Sequence, residues 1–162
     1  MNIIPAKTSD SETVRAITHT TINAIYPRYY PSGAVAFFLG HHSVENISAD
    51  ISAGRVYLLL DDGQNAAGTV TIRDNEICRL FVLPQHQGKG YGKELINFAE
   101  KEIAKNYDEI VLDASFSAKA IYLKRGYREV DYRIIKTENG DHLCYDVMTK
   151  RADPVQPVRR TV

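Results

Sequence analysis

The chain has 162 residues, 44% hydrophobic and 25% charged, with a formal net charge of +0. That length suits one domain with a full core, expected over residues 1–150, with a tail over 151–162. The balanced charge and the lack of any membrane-length apolar run argue against nucleic acid and membrane as partners. In chain order, residues 2–6 read as a short strand. Thr8, Ser9 and Asp10 offer N-caps to a helix with Val14, Ile17, Thr21 and Ile25 on its apolar side, ended by Pro27. After Tyr26-Pro-Arg-Tyr-Tyr-Pro-Ser-Gly33, a short helix is predicted over 34–39 and another over 43–53, stopped by Gly54. Strands follow over 55–60, 67–73 and 76–82, parted by turns at Asp62-Gly63 and Asp74-Asn75. A helix over 90–105, a strand over 109–113 and a helix over 117–125 capped by Gly126 come next. Strands over 127–135 and 142–149 meet around Asn139-Gly140.

Counting the 34–39 segment apart, the order is β-α-α-β-β-β-α-β-α-β-β. A meander followed by a strand–helix–strand crossover predicts an α/β fold, with a mixed, mostly antiparallel sheet and helices on both faces. Met1–Asp10 has no signal-peptide stretch, so a cytoplasmic protein is expected. Cys78 and Cys144 stand in no paired motif and are expected as buried thiols. The histidines include no helix-spaced pair, so no metal site is expected.

The most informative run is Leu80-Phe-Val-Leu-Pro-Gln-His-Gln-Gly-Lys-Gly-Tyr-Gly92. An apolar strand stops at Pro84, glycines stand at 88, 90 and 92, and an amphipathic segment starts at once, with Leu95, Ala99 and Ile103 on one face. A strand, a glycine turn and a helix N-terminus present unpaired N–H groups and the positive end of a dipole, which suit phosphate oxygens. A flexible turn that binds nothing is the competing reading. The spacing around Lys93 is wrong for a Walker loop, and Glu94 stands where a hydroxyl is needed. Gly92 comes one residue too early for a dinucleotide fingerprint.

Gln85-His-Gln-Gly88-Lys-Gly90 resembles the Arg/Gln-x-x-Gly-x-Gly/Ala signature of the GNAT superfamily of N-acetyltransferases. Ala118-Lys-Ala-Ile-Tyr122-Leu-Lys-Arg-Gly126-Tyr127 resembles the second signature of that family. The match runs from Glu76 to Tyr127, with Ser115 where the family often has Asn and Ile121 where it often has Phe. The resemblance implies a sheet of about seven strands, splayed between the strand ending at Val82 and the one starting near Glu109. It also implies acetyl-coenzyme A as acyl donor. The pyrophosphate is expected over the N–H groups of Gln87, Gly88, Lys89, Gly90, Tyr91 and Gly92, with Lys89 and Lys93 at the rim. The pantetheine arm is expected along the main chain of Leu80, Phe81 and Val82, with Ser115 nearby.

Transfer to an amine needs a neutral amine and a stabilised departing thiolate. Tyr122 is the implied acid, since a phenol keeps its proton at neutral pH; on periodicity alone it reads as a core tyrosine. Glu76 is the implied base, with Asp74 and bulk water as alternatives. Tyr26, Tyr29 and Tyr30 are expected to border the acceptor channel, with a dimer contact as the rival reading. Phe37 and Phe38 read as core. The expected acceptor is a small-molecule or peptide amine, and the expected state a monomer or homodimer. The alternative function is a non-catalytic acyl-coenzyme A sensor, and a weaker third reading is a nucleotide-phosphate-binding module.

Overall fold

The computed structural model describes residues 1–153. Strands β1 (Asn2–Pro5), β2 (Val56–Leu60), β3 (Ala66–Arg73), β4 (Glu76–Val82), β5 (Glu109–Ala114), β6 (Arg128–Lys136) and β7 (His142–Arg151) form one sheet in the order β1-β2-β3-β4-β5-β7-β6. Only β4 and β5 pair in parallel. Helices α1 (Ser11–Ile25), α2 (Ser32–His41) and α3 (Val44–Ser52) lie between β1 and β2, α4 (Tyr91–Ile103) follows β4, and α5 (Lys119–Lys124) follows β5. The expected mixed sheet is present, with the short segment after Pro31 a full helix.

The sheet separates two cores. On one face Leu95, Ile96, Ala99 and Ile103 of α4 pack on Leu59, Ala67, Val70 and Leu112. On the other, Val14, Ile17 and Ile22 of α1 and Ile47 of α3 pack on Val56 and Leu58. Each fully buried aliphatic side chain contributes about 1.5–3 kcal/mol, so these stripes fix the helices to the sheet. Asp10 precedes α1, and its carboxylate accepts from the Lys7 N–H at 2.7 Å. Ser43 caps α3 by accepting from the Asn46 N–H at 3.2 Å.

Two features of β4 position the site. Arg79 stands opposite Thr71 and Ile77 opposite Ile72, so Cys78 is an extra residue, a β-bulge. The bulge breaks the alternation of faces. Ile77 joins the α4 core, while Arg79 and Phe81 turn to the α1–α3 face. Beyond the bulge β4 leaves β5: the two strands pair only at Glu76↔Val111 and Ile77↔Leu112. The predicted splay is therefore real, and the bulge, invisible to periodicity, sits where it starts.

Arg79 is the charged centre of the α1–α3 face. Its guanidinium donates to Thr71 Oγ1 at 2.6 Å, Asp50 Oδ2 at 3.2 Å and His42 Nδ1 at 3.2 Å. The Arg79 and Asp50 side chains are 4% and 8% exposed. Asp50 also meets Arg73 and Arg55. Asp50→Ala leaves a buried cation among like charges. It is expected to cost roughly 3–5 kcal/mol, read from urea denaturation.

β7 runs to Arg151, two residues past its expected end, and Ala152 is buried with its N–H on Asp108 O at 2.8 Å. The expected tail, from 154, lies outside the described residues. Cys78 and Cys144 are free thiols, half-buried rather than buried. Among the described residues no helix is long and apolar enough to cross a membrane, and no group of three or more His, Cys, Asp or Glu side chains could hold a metal ion.

Candidate active site

A cavity of about 900 Å³ occupies the split between β4 and β5. It collects Gly88, Gly90, Gly92 and Lys93 from the glycine loop and α4, and Tyr122 and Lys124 from α5. Leu80 and Val82 of β4 and Asp113 of β5 form its strand walls. From the other face it takes Tyr26, Tyr29, Phe37, Phe38 and His41. The split thus joins the two faces of the sheet.

The glycine loop is shaped by backbone angle. Gly88 and Gly90 have φ of 73° and 90°, a region L side chains rarely adopt. A Cβ at either would meet nothing within 4 Å, so both face open space. Gly90 is the N-cap of α4, whose first bond runs from the Glu94 N–H to Gly90 O at 3.1 Å. The N–H groups of Tyr91, Gly92 and Lys93 therefore have no carbonyl one turn back, and they carry the positive end of the α4 dipole.

Gln87 behaves differently from expectation. Its N–H donates to Pro84 O at 3.2 Å and is spent, while its side-chain amide donates to Val82 O at 2.9 Å. Lys89 is exposed and does not line the cavity, unlike Lys93. The Tyr91 ring packs on His86 at 5.3 Å and does not line the cavity. Lys124 adds a second rim cation. It lies in the Lys-x-Gly run before Gly126, which carried the signal.

The open edge of β4 is partly committed. The Leu83 N–H donates to Ala67 O at 2.9 Å, so strand alternation turns the main chain of Phe81 toward β3 and that of Leu80 and Val82 toward the split. The Val82 carbonyl already accepts from Gln87 and from Thr21 Oγ1 at 3.2 Å. Leu80 and the Val82 N–H are left as the strand-edge groups. Phe81 instead contributes its ring to the cavity wall. Ser115 borders the cavity with its hydroxyl 3.0 Å from that of Ser117.

Tyr122 is 7% exposed and packs edge-on against Tyr127 at 5.5 Å. Burial, then the neighbouring Tyr26 phenol, raises its pKa above the usual phenol value, so it holds its proton throughout the physiological range. It is thus both a core residue and a cavity residue.

The three acceptor-side tyrosines separate. Tyr26 lines the cavity from among Tyr30, Phe38 and Phe81, and Tyr29 lines it half exposed. Tyr30 does not fit the acceptor role. Its hydroxyl accepts from the Phe116 N–H at 2.9 Å and donates to Cys144 O at 3.1 Å, and its ring stacks on Phe116 at 5.1 Å. It ties the chain after β5 to β7. Phe37, expected in the core, is 39% exposed at the cavity rim and stacks on His41.

The expected base is also displaced. Glu76 is half-buried at the start of β4 and does not line the cavity. Asp74 sits in a turn with φ 54° and accepts from the Tyr107 hydroxyl at 3.4 Å. Among the described residues the carboxylate lining the cavity is Asp113, which lies exposed on β5; partial desolvation and then Glu76 raise its pKa. Sequence reasoning missed it because a single Asp at a strand end carries no motif. His42 lines the cavity as a neutral ring: burial and Arg79 push its pKa down to about 3.

The family profile described as Acetyltransferase (GNAT) domain matches residues 25–145. The chain belongs to the GNAT family of acetyltransferases, whose members bind acetyl-coenzyme A. Solved structures share the fold across nearly the whole chain. A GCN5-related N-acetyltransferase from Rhodopseudomonas palustris is 23% identical, with TM-score 0.84 over 93% of this chain and 94% of that one. The PaiA N-acetyltransferase of Thermoplasma acidophilum, solved with coenzyme A, is 21% identical, with TM-score 0.68 over 93% and 98%. The ribosomal-protein-S18-alanine N-acetyltransferase of Escherichia coli is 16% identical, with TM-score 0.68 over 99% of each chain. No curated protein sequence matches the chain.

The cavity suits the family's donor. Its uncovered N–H groups at Gly92 and Lys93 fit a pyrophosphate, and its strand-edge groups at Leu80 and Val82 fit a peptide-like arm.

Proposed function

We propose that this protein transfers the acetyl group of acetyl-coenzyme A to a primary amine by direct attack of the amine on the thioester. The observation that carries the reading is the joining of three parts in one cavity: a helix N-terminus lined by Gly88, Gly90 and Gly92, an unpaired strand edge and a protonated buried phenol. Bound there, the thioester supplies the activated acetyl group. The N–H groups of Gly88 to Lys93 hold the diphosphate, with Lys93 and Lys124 at its rim. The groups of Leu80 and Val82 orient the arm, and Ser115 borders it. Tyr122 holds a proton at Oη for the departing sulfur.

The amine, from a small molecule or peptide, approaches past Tyr26 and Tyr29 on the α1–α2 side. Asp113 takes its proton, and Glu76 raises the basicity of Asp113 from behind. A carboxylate must be ionised to act as base, so activity rises with pH through the Asp113 pKa, which lies above the usual carboxylate value. Asp113→Asn is expected to lower kcat/KM roughly 100-fold at neutral pH and to remove that acidic limb. A pH–rate profile checks this, and an unchanged limb returns the role to Glu76 or water. The reaction itself is tested by screening amines for release of free coenzyme A.

A further inference from the structure

Helix α2 is anchored at both ends. Just past its C-terminus the buried His42 accepts at Nδ1 from the Arg79 guanidinium at 3.2 Å, and its carbonyl lies 2.8 Å from His19 Nε2. At the other end the N-cap residue is Pro31, whose side chain can accept no hydrogen bond. The missing acceptor comes from 108 residues away: the Gly33 N–H donates to Asp141 Oδ2 at 2.8 Å. Within α2 only Gly33, Ala34 and Val35 are buried, all in its first turns, so this end sets where the helix lies.

The cap is held in place by its own loop. Asp141 Oδ2 also accepts from Asn139 Nδ2 at 2.9 Å, and the Asp141 N–H donates to Asn139 Oδ1 at 3.1 Å. The Thr137 hydroxyl donates to the same Asn139 oxygen at 2.8 Å. The Gly33 N–H, then Asn139, hold the Asp141 carboxyl below the usual carboxylate value, so it stays an anion at the positive end of the α2 dipole. Gly33 lets the loop approach this closely. A Cβ there would overlap Asn139 Oδ1 and lie 2.7 Å from Thr137 Oγ1.

These contacts join two walls of one cavity. Phe37, Phe38 and His41 of α2 form one wall, and Ile135, Leu143 and Tyr145 of the β6–β7 hairpin belong to the other. Phe38 sits edge-on to Tyr26 at 4.8 Å, so a shift of α2 reaches the acceptor side directly. We propose that Asp141 is a positioning residue for the amine acceptor: by capping α2 from the hairpin, it sets the spacing between these two walls. The proposal rests on the transfer reading above. With the cap removed, α2 pivots about its anchor at His42, and Phe38 carries Tyr26 away from the path of the amine. The donor is held elsewhere, by the glycine loop, β4 and α5, so its affinity does not depend on the cap.

The test compares wild type, Asp141→Ala, Asp141→Asn and Gly33→Ala on a panel of primary amines that includes phenethylamine, spermidine, L-phenylalanine and trialanine. Asp141→Ala is expected to raise the KM of the best amine about 10-fold, with kcat and the dissociation constant of acetyl-coenzyme A near wild type. Asp141→Asn keeps an oxygen for the Gly33 N–H and recovers most of the loss. Gly33→Ala drives the hairpin off α2 from the helix side and raises KM in the same direction. Turnover by Asp141→Ala with the wild-type KM overturns this proposal alone. So does a loss shared equally by acetyl-coenzyme A binding, or one that Asp141→Asn does not recover, since either marks a general structural role. A wild type that transfers to no amine of the panel overturns the transfer reading, and this proposal with it.

Discussion

Tyr122→Phe is expected to lower turnover roughly 10–1,000-fold, at or below the usual range for general acid catalysis because a thiolate is already a fair leaving group. The substitution keeps the ring, its edge-on contact with Tyr127 and its place in the α4 core. Only the hydroxyl is removed. Affinity for acetyl-coenzyme A and denaturation midpoint should therefore change little, which separates a proton donor from a packing residue. Burial raises the phenol pKa, so the wild-type residue is not expected to set an alkaline limb below the ordinary phenol range. An unaltered rate under conditions where chemistry limits turnover returns Tyr122 to the core alone.

Gly90→Val is expected to weaken acetyl-coenzyme A binding about 100-fold, measured by calorimetry. Two effects combine. At φ 90° a β-branched residue is strained by about 1–3 kcal/mol, which distorts the N-cap of α4. The added side chain also projects into the open space over the N–H groups, where nothing now lies within 4 Å. Because that space is empty of protein, the fold should survive, and Gly90→Ala should show a smaller loss of the same sign. A variant that binds like wild type, or a wild type that prefers ATP or NAD, contradicts the assignment of the loop.

Much of this was legible in the chain. The Leu95–Ala99–Ile103 stripe marked α4, the Asn139-Gly140 turn marked the β6–β7 hairpin, and the Gly88 to Gly92 run marked the loop, because each signal is local. What was hidden depends on partners distant in sequence. The Cys78 bulge exists only against β3, and it alone decides that Arg79 turns inward to Asp50. Tyr30 looked like Tyr26 and Tyr29 until its hydroxyl met Phe116 and Cys144, 86 and 114 residues away. Asp113 rather than Glu76 lines the cavity for the same reason: which carboxylate reaches it is set by where β4 parts from β5.

The most direct test of the account follows an isotopically labelled acetyl group from acetyl-coenzyme A in the presence of a panel of small amines and peptides. Transfer of label to an amine nitrogen, matched by an equal release of coenzyme A and lost in parallel in Tyr122→Phe, is the result expected. Tight binding of acetyl-coenzyme A with no label transferred to any amine of the panel would contradict catalysis and leave an acyl-coenzyme A sensor in its place.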